Sequence, residues 1–329
     1  MVAGCFYFTM ETEKEILLEL NLDRSETMKI IIAGGSGFVG QKLTELLYKK
    51  GHDIIILTRK GKQSEGTIKF VQWLEEGAYP EKEIGWADVV INLAGVSIND
   101  GRWTENHQRQ IYQSRMTATD ELVRMVEAFS EKPSVFINAS AIGIYPPSLD
   151  TVYTEKSTEV ADDFLGQTVH DWERKAVAIK EKGIRTVLMR FGVVLGNEGG
   201  ALPLMALPYR LFMGGTVGSG EQWVSWVHIT DVVQSIVFAI ENNCLNGPVN
   251  VTAPNPKRMK DFGKKVGAVL HRPHWFPVPA FLMKAALGKK SSLVLEGQHV
   301  LPEILINEGF EFKFPTLESA LRDLFHSVN

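Results

Sequence analysis

Short, uninterrupted apolar runs alternate along this chain with stretches in which apolar residues recur every three or four positions. The runs lie at 30–33, 52–59, 69–73, 89–95, 135–139, 184–190 and 247–252. Continuous apolar character of that length predicts strands covered on both faces, as in a parallel sheet. Helical spacing follows most of them: Phe38, Leu43, Leu46 and Leu47; Ile111, Leu122, Val123, Val126 and Phe129; Trp172, Ala176 and Ile179; Val232, Val233, Ile236, Val237 and Ile240. Gly51 and Gly183 stand where helix C-caps are expected. Strands and helices taking turns predict an α/β fold, a Rossmann-type doubly wound parallel sheet spanning residues 28–252.

From residue 196 to 226 the texture changes. Glycines crowd together with Pro203, Pro208, Trp223 and Trp226, and we expect this segment to cover a pocket at the C-terminal edge of the sheet. Residues 253–329 read as a small C-terminal α+β lobe on the substrate side. It has a helix at 260–270, proline-rich turns at 273–279 and a last helix at 317–325. Phe310, Phe312 and Phe314 alternate as a half-buried strand would. Residues 1–27 form an N-terminal extension, and Met28, directly before the first strand, is a candidate natural start.

Composition narrows the function classes. The chain is 44% hydrophobic and 22% charged, with a net charge of -4, which offers no overall basic footprint for nucleic acid or an anionic membrane. Two cysteines among 329 residues make no disulfide framework and suit a cytoplasmic protein. No metal site is expected, because His271 and His274 lack carboxylate or thiol companions nearby. The partner expected is a small molecule.

The first strand carries the chemistry. It ends in Gly34, Gly35, Ser36, Gly37, Phe38, Val39 and Gly40, and a helix begins at once, which is the context a nucleotide-binding glycine turn requires. Gly34 permits the tight turn, Gly37 lets a pyrophosphate approach the backbone, and Gly40 lets helix and strand pack closely. Helix N–H groups and the positive dipole end then face the phosphates. The second strand ends in Arg59 and Lys60, where an NAD-preferring site would hold an acid for the ribose 2′-hydroxyl. Two cations there suit a 2′-phosphate, so NADP (NADPH) is expected in preference to NAD. Trp73 is a candidate flank for the adenine, and Ala94 and Gly95 close the fourth strand with small residues beside the cofactor.

Together these residues resemble the extended and atypical short-chain dehydrogenases/reductases, and in particular an epimerase-family subgroup with a C-terminal domain of unknown function. The matching pieces run from Gly34–Gly40 through Asn92–Gly95, Arg102–Trp103, Ser114–Arg115, Asp171–Glu173, 190–196, 214–220 and 226–231 to the tail at 309–315. The resemblance implies NADP use; Arg102, Trp103 and Arg115 are further candidates to reach an anionic substrate or the cofactor phosphates, surface salt bridging being the alternative for the arginines. The resemblance also implies a Tyr-x-x-x-Lys acid/base pair after the fifth strand, and here the chain departs from the family. Alignment on Glu173 places Leu165 at the Tyr position and Val169 at the Lys position, and neither transfers a proton. Ser140 and Tyr145 become the candidate catalytic residues, with Tyr153 an alternative to Tyr145. An equally good alignment sets Ala141 at the Ser position, and substrate-assisted or water-mediated protonation needs no tyrosine. The expected activity is that of an oxidoreductase-like protein on an unknown small molecule; the alternative is a non-catalytic NADP(H)-binding regulator, some relatives being associated with cell division. His228 and Asp231 are expected to cap and pack, and Trp223 and Trp226 to line the pocket or the core.

Overall fold

The computed structural model describes residues 27–61 and 67–326; the extension expected at 1–27 lies outside these residues except for its last one. Seven strands build one parallel sheet: β1 (Lys29–Ala33), β2 (Asp53–Thr58), β3 (Ile68–Gln72), β4 (Val89–Asn92), β5 (Val135–Ala141), β6 (Arg185–Phe191) and β7 (Gly247–Val251). Their spatial order is β3-β2-β1-β4-β5-β6-β7. The order reverses between β1 and β4, so the crevice for a ligand opens beyond the C-terminal ends of those two strands.

The described helices of eight or more residues are α1 (Phe38–Lys49), α2 (Glu105–Ala128), α3 (Phe164–Val177), α4 (Leu202–Arg210), α5 (Ile229–Glu241), α6 (Met259–Leu270), α7 (Ala280–Leu287) and α8 (Leu317–His326). Alternate residues of each strand point to opposite faces, and both faces are apolar. Ile30, Ile32, Ile54, Ile56 and Ile91 meet Leu43 and Leu47 of α1 and Val233, Ile236 and Val237 of α5. On the other face Ile31, Ile55, Leu57 and Val90 meet Leu122 and Met125 of α2, with Ala176 of α3 on the same side. This double burial is why the strands read as continuous apolar runs.

The remaining elements form a lobe over the C-terminal edge. Its core joins Leu202 and Tyr209 of α4, Phe262 and Val266 of α6, and Leu317, Leu321 and Leu324 of α8. The segment after β6 reaches back over the start of α1: a side chain at Gly196 or Gly199 would run into the Phe38 ring. Strand structure in the lobe is limited to pairings of two or three residues, such as Trp223–Val224 with Lys257–Arg258 and Trp226–His228 with Val193–Leu195, so its architecture is mainly helical.

One expected strand does not form. Phe310, Phe312 and Phe314 alternate in sequence, but residues 309–316 are irregular. Asp231 accepts hydrogen bonds from the Lys313 and Phe314 amides at 2.8 and 3.1 Å, while Phe310 packs on Phe238 and Phe314 lies 3.9 Å from the His228 ring. Phe314 is buried and Phe310 and Phe312 are half-buried against the layer of α5 and its cap, and two of the amides a ladder would need are held by a carboxylate.

Candidate functional site

The turn after β1 is shaped by two glycines that no other residue replaces. Gly34 has φ +81, and a Cβ there would stand 2.6 Å from the Leu93 carbonyl carbon. The chain leaving β4 therefore lies directly against it. A Cβ on Gly40 would meet the Gly34 oxygen at 2.2 Å, so α1 starts as close to the turn as backbones allow. Gly37 differs. It is extended (φ -78, ψ 172), donates to the Gly34 carbonyl at 3.0 Å, and a Cβ on it would meet only that oxygen, at 3.3 Å. Ser36 and Gly37 are exposed, Phe38 and Val39 half-buried, and Gly35 is buried on Ile56.

Free amide groups follow from this geometry. Among the four helices flanking the sheet, α2 is capped by Thr104, α3 by Asp163 and α5 by His228, each through a side chain. Helix α1 has no side-chain cap and no acid in its first turn. Its leading N–H groups and positive dipole end face an open glycine, a donor set that fits a pyrophosphate.

Neighbouring strand ends complete the edge. Ala33 pairs with Leu57 and with Asn92, so Gly34, Thr58 and Leu93 stand level, with Arg59 the next residue along the edge. Arg59 and Lys60 are exposed, and Arg59 has no acidic partner among the described residues. Trp73, the candidate adenine flank, is 3% exposed and packs in the core beside Val71 and Leu57. Its place one residue beyond β3 carries the ring into the layer beneath the sheet.

Beyond β4, Asn92 donates to Thr119 at 3.0 Å and Asn138 at 2.7 Å and accepts from the Ala94 amide at 3.2 Å, which fixes the turn at Ala94 and Gly95. The Arg115 guanidinium lies over Gly95, so that a Cβ there would come within 3.1 Å of its carbon. Arg115 donates to the carbonyls of Val96 and Ile111 and sits 5.1 Å from the Trp172 ring. Burial pulls its pKa down to about 10; no carboxylate pairs with it among the described residues. Arg102 is exposed, whereas Trp103 is buried and bonded to the Ile98 carbonyl.

At the end of β5 the structure holds a closed polar network. Ser140 donates to Glu173 at 2.5 Å. Arg190 grips the same carboxylate with two nitrogens, at 2.8 and 2.7 Å, and donates to the Tyr145 hydroxyl at 2.7 Å. That hydroxyl lies 2.9 Å from Asn250 Oδ1 and 3.1 Å from the Thr154 carbonyl. Tyr145 therefore does not reach out of its loop as expected. It is wholly buried, stacked on Tyr153 at 5.0 Å, and burial raises the pKa of both. Ser140 is also buried. The Glu173–Arg190 pair escapes a reading of the sequence because 17 residues separate the partners; an Arg and a Glu at apolar strand and helix positions are the only trace.

His228 and Asp231 act as cap and clamp. His228 accepts from the Thr230 amide at 3.1 Å, and burial lowers its pKa to about 4 although Asp323 lies 3.3 Å away. Burial also raises the pKa of Asp231. Trp226 is core, while Trp223 lies between His299 and Arg258 at the lobe's edge. His274 is held by Tyr209 and Thr216.

Comparison with known proteins gives the arrangement a context. The NAD dependent epimerase/dehydratase family model matches residues 30–251, and that of a domain of unknown function matches 278–324. The epimerase family protein YfhF of Bacillus subtilis is 50% identical over 298 residues, covering 90% of this chain and 98% of that one. An epimerase family protein of Staphylococcus aureus, SAR0825, is 42% identical over 295 residues, 89% and 98% of the respective chains. Among solved structures, the human epimerase family protein SDR39U1 with NADPH superposes with a TM-score of 0.83 at 32% identity, over 92% of this chain and 100% of that one. A nucleoside-diphosphate sugar epimerase from Corynebacterium glutamicum gives 0.73 at 30% identity, over 94% of this chain and 61% of its own.

Proposed function

The chain belongs to the NAD dependent epimerase/dehydratase family, and from that premise we propose that it binds NADP(H) and works as a cytoplasmic oxidoreductase-like protein on an unidentified small molecule. The uncapped, acid-free start of α1 carries this reading. Gly34 to Gly40 would hold the pyrophosphate on backbone N–H groups. Arg59 and Lys60 would meet the 2′-phosphate, and Ala94, Gly95 and Arg115 would border the nucleotide where β4 ends. The human relative solved with NADPH supports that cofactor choice. NADPH held there would supply a hydride to a carbonyl, the alkoxide taking its proton from a side chain, from the substrate itself or from water.

Arg59→Ala tests the cofactor assignment by titration with both nucleotides. Loss of a charge-assisted pair to phosphate should weaken NADPH binding by at least about tenfold and leave NADH nearly unchanged. Equal losses would sink the 2′-phosphate assignment.

A second reading rests on a different observation. The Ser140 and Tyr145 hydroxyls are both engaged in the buried network, and alignment of the sequence on Glu173 sets Leu165 and Val169 against the family's acid/base pair. A nicotinamide-binding regulator without turnover has no need of a proton donor. A carbonyl and alcohol screen followed at the nicotinamide absorbance separates the two: turnover lowered by Ser140→Ala supports the enzyme, and tight NADPH binding without turnover supports the regulator.

A further inference from the structure

The lobe exposes an apolar face that its own core leaves uncovered. Nine of the seventeen large apolar side chains exposed among the described residues lie in two of its segments, around α4 and before and within α7. Trp275 and Phe281 are 67% and 68% exposed, and Leu204, Leu211 and Phe212 each more than half. The segments form one surface. Trp275 donates its ring N–H to the Phe212 carbonyl at 3.0 Å, the Trp275 and Phe276 amides share the Gly214 carbonyl, and Val217 bridges to Val278. No residue of α7 is buried, although its sequence is almost wholly apolar. Patches of this kind mark interaction sites.

Charge identifies the partner. Residues 199–220 and 262–295 contain seven of the chain's 35 Lys and Arg and none of its 39 Asp and Glu. Lys264 and Lys265 are paired with Asp261 and Glu318. Arg210, Lys284 and Lys289 are exposed and, like Arg272 over the Phe212 ring, have no acidic partner among the described residues. Lys290 donates to the carbonyls of Asn99 and Gly101, which ties the exit of α7 to the loop before α2 and holds the helix outward. The overall charge of -4 conceals this local segregation.

We infer that this face docks the protein on an anionic phospholipid surface. Aromatic and aliphatic side chains enter the headgroup boundary while the unpaired cations meet lipid phosphates, the pairing that peripheral proteins need because neither term suffices alone. Attachment is peripheral: among the described residues no helix is long and apolar enough to cross a membrane. A second copy of the chain fits the face less well, because two-fold packing would set these cations against their own duplicates.

The full-length protein is sedimented with phosphatidylcholine vesicles, with and without phosphatidylglycerol. Binding is expected only with phosphatidylglycerol, and added salt should weaken it. Phe281→Asp should abolish it, and Lys284→Ser with Lys289→Ser should reduce it about thirtyfold, each cation near a charged surface contributing about fivefold. Unchanged NADPH affinity of Phe281→Asp reports intact folding, and the vesicle result does not depend on whether the nucleotide is turned over. Equal binding to both vesicle types, or binding that survives Phe281→Asp, overturns the inference. Self-association broken by Phe281→Asp without vesicle binding also overturns it, and assigns the face to a second copy.

Discussion

Helices α1 and α5 cover the same face of the sheet, yet their first turns are treated in opposite ways. At α5 the His228 ring takes the Thr230 amide and the acid in the first turn is itself engaged by two amides from the tail. At α1 no side chain among the described residues caps the leading amides, and glycine stands at the cap. The Ser140–Glu173–Arg190–Tyr145 cluster belongs with α5: buried, and bonded along its length. Open donors on one sheet-flanking helix, where the other three are capped by side chains, are a stronger sign of a ligand than the glycines alone.

Breaking the closed region should give the largest response. Arg190→Met leaves the Glu173 charge buried without its cation and should cost about 3–5 kcal/mol in urea unfolding. Next comes pH. Burial holds the His228 pKa at about 4, below its ordinary 6.5, so between those values the unfolded chain binds a proton that the folded chain refuses. Stability therefore rises with pH across that window and is lost on acidification, by up to about 3 kcal/mol. His228→Asn, which keeps a capping acceptor, should flatten the slope in melts at a series of pH values.

The open region can be closed deliberately. Gly37→Asp places an acid at a backbone angle any residue adopts, and it should stabilise the free protein by about 0.5–1 kcal/mol as a cap. The same carboxylate should lower nucleotide affinity about a hundredfold by taking the helix end and repelling phosphate. A gain in both would mean that α1 holds no anion. The smallest effect is expected from Tyr145→Phe, which unpairs Arg190 and Asn250 and should cost about 1–2 kcal/mol while leaving NADPH affinity unchanged. A fall in that affinity would move Tyr145 from the closed region to the open one.

The sheet was legible because strands covered on both faces leave uninterrupted apolar runs, and Gly34 and Gly40 were legible because their contacts are local. What escaped depends on distant partners. Trp73 at a strand exit looks the same whether it meets an adenine or the core. The alternation of Phe310, Phe312 and Phe314 imitates a strand, since Asp231, some 80 residues earlier in sequence, decides where the amides go. Composition hid the apolar face of the lobe, because an average over 329 residues dilutes segregation within two segments.

The clamp at Asp231 also bears on how the chain is made. This carboxylate lies in the nucleotide-binding half, 1% exposed, and its partners Lys313 and Phe314 leave the ribosome 82 and 83 residues after it. Until they emerge, the sheet and α5 carry a buried carboxylate without those two donors, so the larger half is finished only after the 313–314 segment has been made. Stop codons shortly before Lys313 should therefore damage the Rossmann half as well as the lobe, and the two are better regarded as one cooperative folding unit than as interchangeable modules.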